Sequence, residues 1–366
     1  RAYFIGRQRS SVGGIVNTQC RDGDDPATPD AELDWCKLRR MRFGAFTPQG
    51  WRLDLVGIDT AEQWPTILSV AKTIESAGYE SVWVYDHFHT VPVPTQEVTY
   101  EAWTLMAALA AATDTVRLGQ MCTCNGYRPP AYLAKVAASI DAISGGRLEM
   151  GIGAGWYDHE YNGYGYPFPK ASVRIGELGE AVEIMKRMWT EDEASFDGKY
   201  YKLDGAICQP KPVQDPHIPF WIAGGGEKLT LNVAARYASY TNFASTVEEF
   251  EHKSNVLRGH CEDVGRDFDE IVRSTNFNVV CEETEADVED RLAWIKDKYR
   301  PFVPEDRLDG LETMYRRTAG TPEQLIEKIR PWVDAGMSYG IVYFYEAAWD
   351  TSGLERFARE VMPAFS

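Results

Sequence analysis

From residue 41 onward, short apolar runs alternate with amphipathic runs, and this alternation limits the fold more than any other feature of the chain. MRFGAFT (41–47), SVWVYD (81–86), TVRLGQMCT (115–123), RLEMGIGAG (147–155), PFWIAGG (219–225), ASYTNF (238–243), IVRSTNFNVVC (271–281) and YGIVYFYE (339–346) read as strands. Helical spacing fills the gaps at 61–78, 101–113, 131–144, 174–189, from Glu227, 247–265, 322–336 and 353–365. Thr60 is the expected N-cap of the first helix, Pro65 falls in its first turn, and Gly78 is its expected stop. A strand that is always followed by a helix pairs in parallel with the next strand, because the helix is the crossover. Eight such units predict an α/β protein folded as a (β/α)8 TIM barrel. A doubly wound sheet is the alternative, but no strand here runs into G-x-G-x-x-G with an acid downstream for a ribose. ASFDGKYYKLDGA (194–206) predicts a hairpin around Asp197-Gly198. Residues 282–320 are too long for a plain connection and predict an insertion, a helix or a lid, before the last helix–strand unit.

Composition narrows the partners. The formal charge of −17 disfavours nucleic acid and anionic membrane, which reward clustered Lys and Arg. No apolar run approaches the ~20 residues of a membrane helix. Seven cysteines are scattered without paired zinc spacing, and Cys122-Thr123-Cys124 is C-x-C rather than C-x-x-C. Reduced thiols in a cytoplasmic protein are the expectation. Residues 1–40 show no sustained periodicity and lack the apolar core of a signal peptide. The expectation is that Met41 is the natural start, that 1–40 is upstream sequence or a disordered extension, and that 41–366 is a single barrel domain.

The chemistry-bearing side chains gather at strand ends, where a barrel builds its site. Asp86 and His87 leave the second strand together, in a chain with only six histidines. His87 suits proton transfer near neutral pH, and Asp86 is placed to orient it or to accept a hydrogen bond from a ligand ring. A structural pair, with Asp86 capping a loop, is the competing reading; His89 reads as structural. GIGAGWYDHE (151–160) alternates Gly151, Gly153 and Gly155 at the fourth strand end, letting backbone approach a flat or anionic ligand. IAGGGEKLTL (222–231) ends a strand in three glycines and opens a helix, an arrangement able to hold an anion or simply to turn the chain. Trp51, Trp156 and Tyr157 fall at rim positions and could cover a planar ring. No Walker A, H-E-x-x-H or G-x-S-x-G stands in the chain.

At these motifs the chain resembles the luciferase-like monooxygenase superfamily, and within it the branch of deazaflavin (coenzyme F420)-dependent oxidoreductases. The resemblance runs from MRFGAFTPQGW (41–51) to about residue 365. It is carried by WVYDHFHTVPVP (83–94), VRLGQMCT (116–123), YRPPAYLAKVAASIDAISGGRLEMGIGAGWYDHE (127–160) and IPFWIAGGGEKLTL (218–231). It implies a flavin or deazaflavin at the C-terminal mouth of the barrel. Asp86-His87 matches the acid–histidine pair beside the ring, the histidine helping catalysis. Met121, Cys122 and Thr123 match a segment that often holds a non-proline cis peptide against the ring. Gly153, Ala154 and Gly155, with Trp156 next to them, match the loop that receives the ring or its side chain. Gly224 and Gly225 match the turn that binds the phosphate tail. The sugar-phosphate dehydrogenases of the branch place a proton-donating glutamate where this chain has Trp156, so a donor must come from elsewhere; Tyr157, His159 and Glu160 are the candidates.

The resemblance implies an oxidoreductase that exchanges a hydride between coenzyme F420 and a small organic substrate, with His87 as acid/base and Asp86 beside it. An FMN-dependent two-component monooxygenase keeps the fold and changes the chemistry, and a non-catalytic flavin-binding protein is a third reading. An aldolase or isomerase would need a Schiff-base lysine or a metal cluster, and only Lys228 follows closely after a strand. The aromatic rim points to a partly apolar substrate, and the family resemblance implies a homodimer.

Overall fold

The computed structural model describes residues 41–366. The expectation about residues 1–40, and the cysteines at 20 and 36, lie outside the described residues. Eight parallel strands form a closed barrel: β1 (Arg42–Phe46), β2 (Ser81–Val84), β3 (Arg117–Gln120), β5 (Leu148–Gly153), β8 (Phe220–Ala223), β9 (Tyr240–Asn242), β10 (Val272–Cys281) and β12 (Tyr339–Tyr343). They lie in that spatial order, and β12 returns to β1 with Gly44 beside Ile341. The closure of all eight in parallel decides for the barrel over the doubly wound sheet. Two short strands attach at its rim, β4 (Thr123–Cys124) on β5 and β11 (Thr318–Gly320) on β10. The hairpin appears as β6 (Ala194–Asp197) and β7 (Lys202–Ala206).

Eleven helices complete the described chain: α1 (Thr60–Ser76), α2 (Ala102–Ala112), α3 (Pro130–Ser144), α4 (Asp158–Tyr164), α5 (Ala171–Thr190), α6 (Thr230–Tyr237), α7 (Val247–Val264), α8 (Glu285–Tyr299), α9 (Glu305–Arg316), α10 (Pro322–Asp334) and α11 (Ser352–Arg356). Three local expectations are corrected. Asp59, not Thr60, holds the N-cap position of α1, and its carbonyl accepts the Glu62 N–H at 2.8 Å. The helix after β8 starts at Thr230, not Glu227, with a turn between. The last helix is α-helical only to Arg356; a π turn over Phe357–Val361 and a 3-10 turn follow, and Pro363 has no N–H to continue the regular ladder. The insertion at 282–320 consists of α8, α9 and β11.

Large rings fill the barrel axis. Trp83, Trp221 and Tyr339 are fully buried there, with Trp221 stacked on Tyr240 at 4.0 Å and edge-on to Trp83 at 4.7 Å. Neighbouring strands make room by omission: a Cβ on Gly44 or on Gly119 would stand 2.4 Å from the Trp83 indole. This plug closes the interior below the mouth, so loops at the C-terminal ends must form any ligand site. None of the described helices is long and apolar enough to cross a membrane.

Candidate active site at the barrel mouth

A cleft of about 470 Å³ opens at the C-terminal ends of the strands. That volume is in the range of small-molecule sites. Its wall includes Trp51 and Arg52 after β1, Asp86 and His87 after β2, Met121 and Cys122 after β3, Gly153–Trp156 at the end of β5, Gly224 and Gly226 after β8, and Asn276 on β10. Of the residues singled out in the sequence, Asp86, His87, Met121, Cys122, Gly153, Ala154, Gly155, Trp156 and Gly224 meet in this one wall. Thr123 and Gly225 do not. Thr123 is buried behind the wall with its hydroxyl on Gln120 Oε1 at 2.7 Å. Gly225 faces Lys253, whose Nζ would meet an added Cβ at 2.4 Å and is itself bonded to Glu249.

Asp86 and His87 diverge. Asp86 accepts two hydrogen bonds from Arg128, at 2.7 and 2.9 Å, and one from the Cys124 N–H at 2.8 Å. Arg128 also binds Glu101 at 2.5 Å. His87 instead meets Glu160, Nδ1 to Oε2 at 2.8 Å. Glu160 is wholly buried on α4, and its other oxygen accepts the Phe88 N–H at 2.6 Å and the His89 N–H at 2.8 Å. The Tyr127 hydroxyl donates to Oε2 at 2.5 Å. Burial alone would raise the Glu160 carboxyl, but the bond and charge of His87, the backbone N–H of His89 and the Tyr127 hydroxyl together hold it below its usual range. An ionised Glu160 accepts the Nδ1 proton of His87 and leaves Nε2 for the cleft. The Trp51 indole lies flat on the His87 ring, 4.2 Å away and 3° from parallel. The histidine is thus fixed in plane and in tautomer by groups far from it in sequence.

The remaining wall suits a flat ligand. The Met121–Cys122 peptide is cis, as the resemblance implied. Burial, with Cys124 and Asp86 nearby, pushes the Cys122 thiol up to about 12, so it is a neutral wall and not a nucleophile. At Gly153 a Cβ would come 2.7 Å from Cys122 Sγ, and at Gly155, where φ is +80°, it would come 2.2 Å from the Tyr161 hydroxyl. The space a side chain would take at both positions is filled by protein, so close packing requires glycine there, and their backbone is what lines the cleft. Gly224, at φ +111°, turns the chain toward Thr230 at the start of α6. Trp156 is 61% exposed and stacks on Tyr157 at 5.0 Å, forming a lip. His159 is exposed and pairs with His89, while Lys228 is exposed and outside the wall.

Sequence reasoning gave no role to Arg128, Tyr127 or Arg52. The signal for Arg128 was present: an arginine before Pro-Pro has little use in a helix start unless its charge is answered elsewhere. Of the three candidate donors, Tyr157, His159 and Glu160, Glu160 is buried and accepts four hydrogen bonds, one of them from His87.

The family model described as luciferase-like monooxygenase matches residues 41–339. An F420-dependent glucose-6-phosphate dehydrogenase of Nocardia farcinica is 29% identical, over 81% of this chain and 93% of that protein. An FMNH(2)-dependent dimethylsulfone monooxygenase of Pseudomonas putida is 26% identical, over 72% of this chain and 78% of that protein. Among solved structures, an F420-dependent secondary alcohol dehydrogenase in complex with an F420-acetone adduct superposes with a TM-score of 0.72 at 22% identity, covering 89% of this chain and 99% of that one.

Proposed function

We propose, from the premise that the chain belongs to the luciferase-like monooxygenase family, that it is an enzyme exchanging a hydride between coenzyme F420 and a small organic substrate. The observation that carries this reading is the His87 ring, held by Glu160 at 2.8 Å and by Trp51 at 4.2 Å in the wall of a glycine-faced cleft. Relatives named as F420-dependent, covering most of this chain, support the choice of cofactor. Bound at the mouth, the deazaflavin supplies a two-electron hydride carrier that does not react readily with oxygen. The backbone of Gly153 to Gly155 would lie against its ring, and Gly224, Gly226 and Thr230 would hold its anionic tail. His87 takes or returns the substrate proton at Nε2, since Nδ1 is committed to Glu160. Asp86 keeps Arg128 and the Cys124 backbone in register and so shapes the wall beneath the ring. Trp156 stands where sugar-phosphate dehydrogenases carry their glutamate, so glucose 6-phosphate is not the substrate we assign.

An FMN-dependent monooxygenase is the second reading, favoured by the relative from Pseudomonas putida. Titration of the protein with F420 and with reduced FMN, followed by quenching of Trp51 and Trp156, separates the two. Binding of F420 with no oxygen uptake is expected; binding of reduced FMN alone, with oxygen consumed, overturns the proposal. His87→Ala tests the acid/base role. Turnover should fall by ~10²–10⁴ with F420 still bound, and unchanged turnover sinks the assignment.

A further inference from the structure

Among the described residues, no carboxylate answers one cation at the mouth of the barrel. Arg52 follows Trp51 in the loop after β1 and lines the cleft. Its Nη1 donates to Asn278 Oδ1 at 2.6 Å, and its Nε is buried without a partner among the described residues. The guanidinium carbon lies 4.8 Å from the Tyr343 ring centroid, 5.4 Å from Trp51 and 5.5 Å from Tyr85. The groups that face it, Tyr85, Tyr315, Tyr343 and Tyr299, are hydroxyls whose burial keeps them neutral. Among the described residues Arg52 forms no ion pair. The carboxylate closest in sequence, Asp54, is engaged by the Gly50 N–H at 2.6 Å and the Tyr343 hydroxyl at 2.9 Å.

Asp86 and His87, in the same wall, are matched, whereas Arg174, its other arginine, forms no ion pair among the described residues and gives its Nη1 to the Pro169 carbonyl. Asp86 is bound by Arg128, and His87 by Glu160. Arg52 leaves the β1 side of the cleft with a localised positive charge in a chain whose net charge is −17. Aromatic faces compensate a buried guanidinium only in part, because they offer a quadrupole and not a counter-charge. A planar fork of donors is best completed by a carboxylate, which it meets with two parallel hydrogen bonds.

Position separates this charge from the cofactor wall. Arg52 and Asn276 come from the first and seventh barrel strands, whereas Gly153–Gly155 and Gly224 come from the fourth and fifth. These are opposite arcs of the ring. Trp51 joins Arg52 to the reaction centre, since the same indole stacks on His87. A group seated on Arg52 thus has its neighbouring atoms along an aromatic floor that leads to Nε2 of His87.

We propose that Arg52 is a substrate-anchoring residue that selects a carboxylate borne on a flat, apolar body, so that the enzyme acts on organic acids in preference to neutral molecules of the same shape. This rests on the reading of the cleft as an F420-dependent site. Benzoate and benzamide test it, because they share a shape and differ in charge. Isothermal titration of the full chain, with and without F420, measures both. Wild type should bind benzoate at least ten-fold more tightly than benzamide. Arg52→Met should abolish the difference, and Arg52→Lys, a point charge without the fork, should keep part of it. Equal affinities in wild type, no binding of either probe, or a benzoate preference that survives in Arg52→Met would each overturn the proposal. A purely structural arginine would lower the Tm of Arg52→Met and leave the benzoate-to-benzamide ratio in place. If Arg52→Met does not fold, the wild-type ratio and Arg52→Lys still decide. F420 affinity on the same samples separates the two ideas: cofactor binding without benzoate preference defeats this inference alone, and benzoate preference without cofactor binding defeats the functional reading alone.

Discussion

Glu160 shows how a site is divided between near and distant sequence. Asp86 and His87 are neighbours at the end of β2, and a reading by adjacency makes them one unit. Successive side chains of an extended segment point to opposite sides, so one turns to Arg128 and the other to Glu160. The histidine was legible from its place at a strand end; its partner was not, because a carboxylate 73 positions later leaves no local trace. The role of Glu160 can be measured. Glu160→Gln keeps the shape but replaces an acceptor of four hydrogen bonds by an amide that accepts fewer, so His87 loses its fixed tautomer. Turnover should fall ~10–100-fold, the range seen when a supporting partner of an active group is removed. F420 affinity should stay within about three-fold, because the cleft wall is unchanged, and unfolding free energy should drop by ~1–3 kcal/mol for the donors left unanswered. A loss confined to stability, with kcat intact, would return Glu160 to a scaffolding role.

At the level of elements, the eight barrel strands were readable because each is a short apolar run bounded by helical spacing. The inserted segment was readable only as excess length. Its helices are markedly polar outside, and the few apolar positions that fix them, Leu292, Ile295, Tyr299, Leu308 and Tyr315, share one buried cluster with the loops after β1 and β12, Tyr299 and Tyr315 lying against Tyr345. No period within 282–320 announces that partner. The late start of α6 was hidden for a related reason: Glu227 to Leu229 have helical composition, but the chain must first complete the turn that begins at Gly224. The packing predicts that the insertion stands on a small buried cluster. Leu308 is fully buried there, and Leu308→Ala should cost ~2–5 kcal/mol in denaturant unfolding. Proteolysis of that variant should begin within the α8–α9 connection, at 300–304, before the barrel is cut; first cuts in the barrel helices would show that the insertion does not open separately.

For the whole molecule, the balance of buried carboxyls sets how stability varies with pH. Burial raises the carboxyls of Asp54, Glu177, Glu149 and Glu346, and the last two far enough to oppose ionisation near neutral pH. Burial pushes Glu346 up to about 8, and both of its oxygens lack partners among the described residues, with Arg291 close enough to lower it only in part. Burial likewise pushes Glu149 up to about 7 against the opposing pull of Arg117 and of the Trp221 N–H. A carboxyl whose folded pKa lies above its unfolded value binds its proton more tightly when folded, so its stabilising contribution is full below the unfolded value and is lost as pH rises through the folded one. Glu160 acts in the opposite sense, as do Glu75 and Glu101, whose carboxyls are held low by hydrogen bonds despite burial. Their contribution is present above the ordinary carboxyl range and is lost on acidification. Tm should therefore peak in mildly acidic buffer, and should decline from about pH 5 to pH 8 on one side and below about pH 4.5 on the other. Glu346→Gln isolates the alkaline arm. The amide copies the shape of the protonated acid, cannot ionise, and lies outside the residues that line the cleft. Melting curves at intervals from pH 5 to pH 9 should show wild type losing Tm across that window and the variant losing distinctly less, with the two curves close at pH 5 and the variant higher at pH 8.5. Parallel curves over the whole window would mean that Glu346 is ionised in the fold, with Arg291 answering it after all.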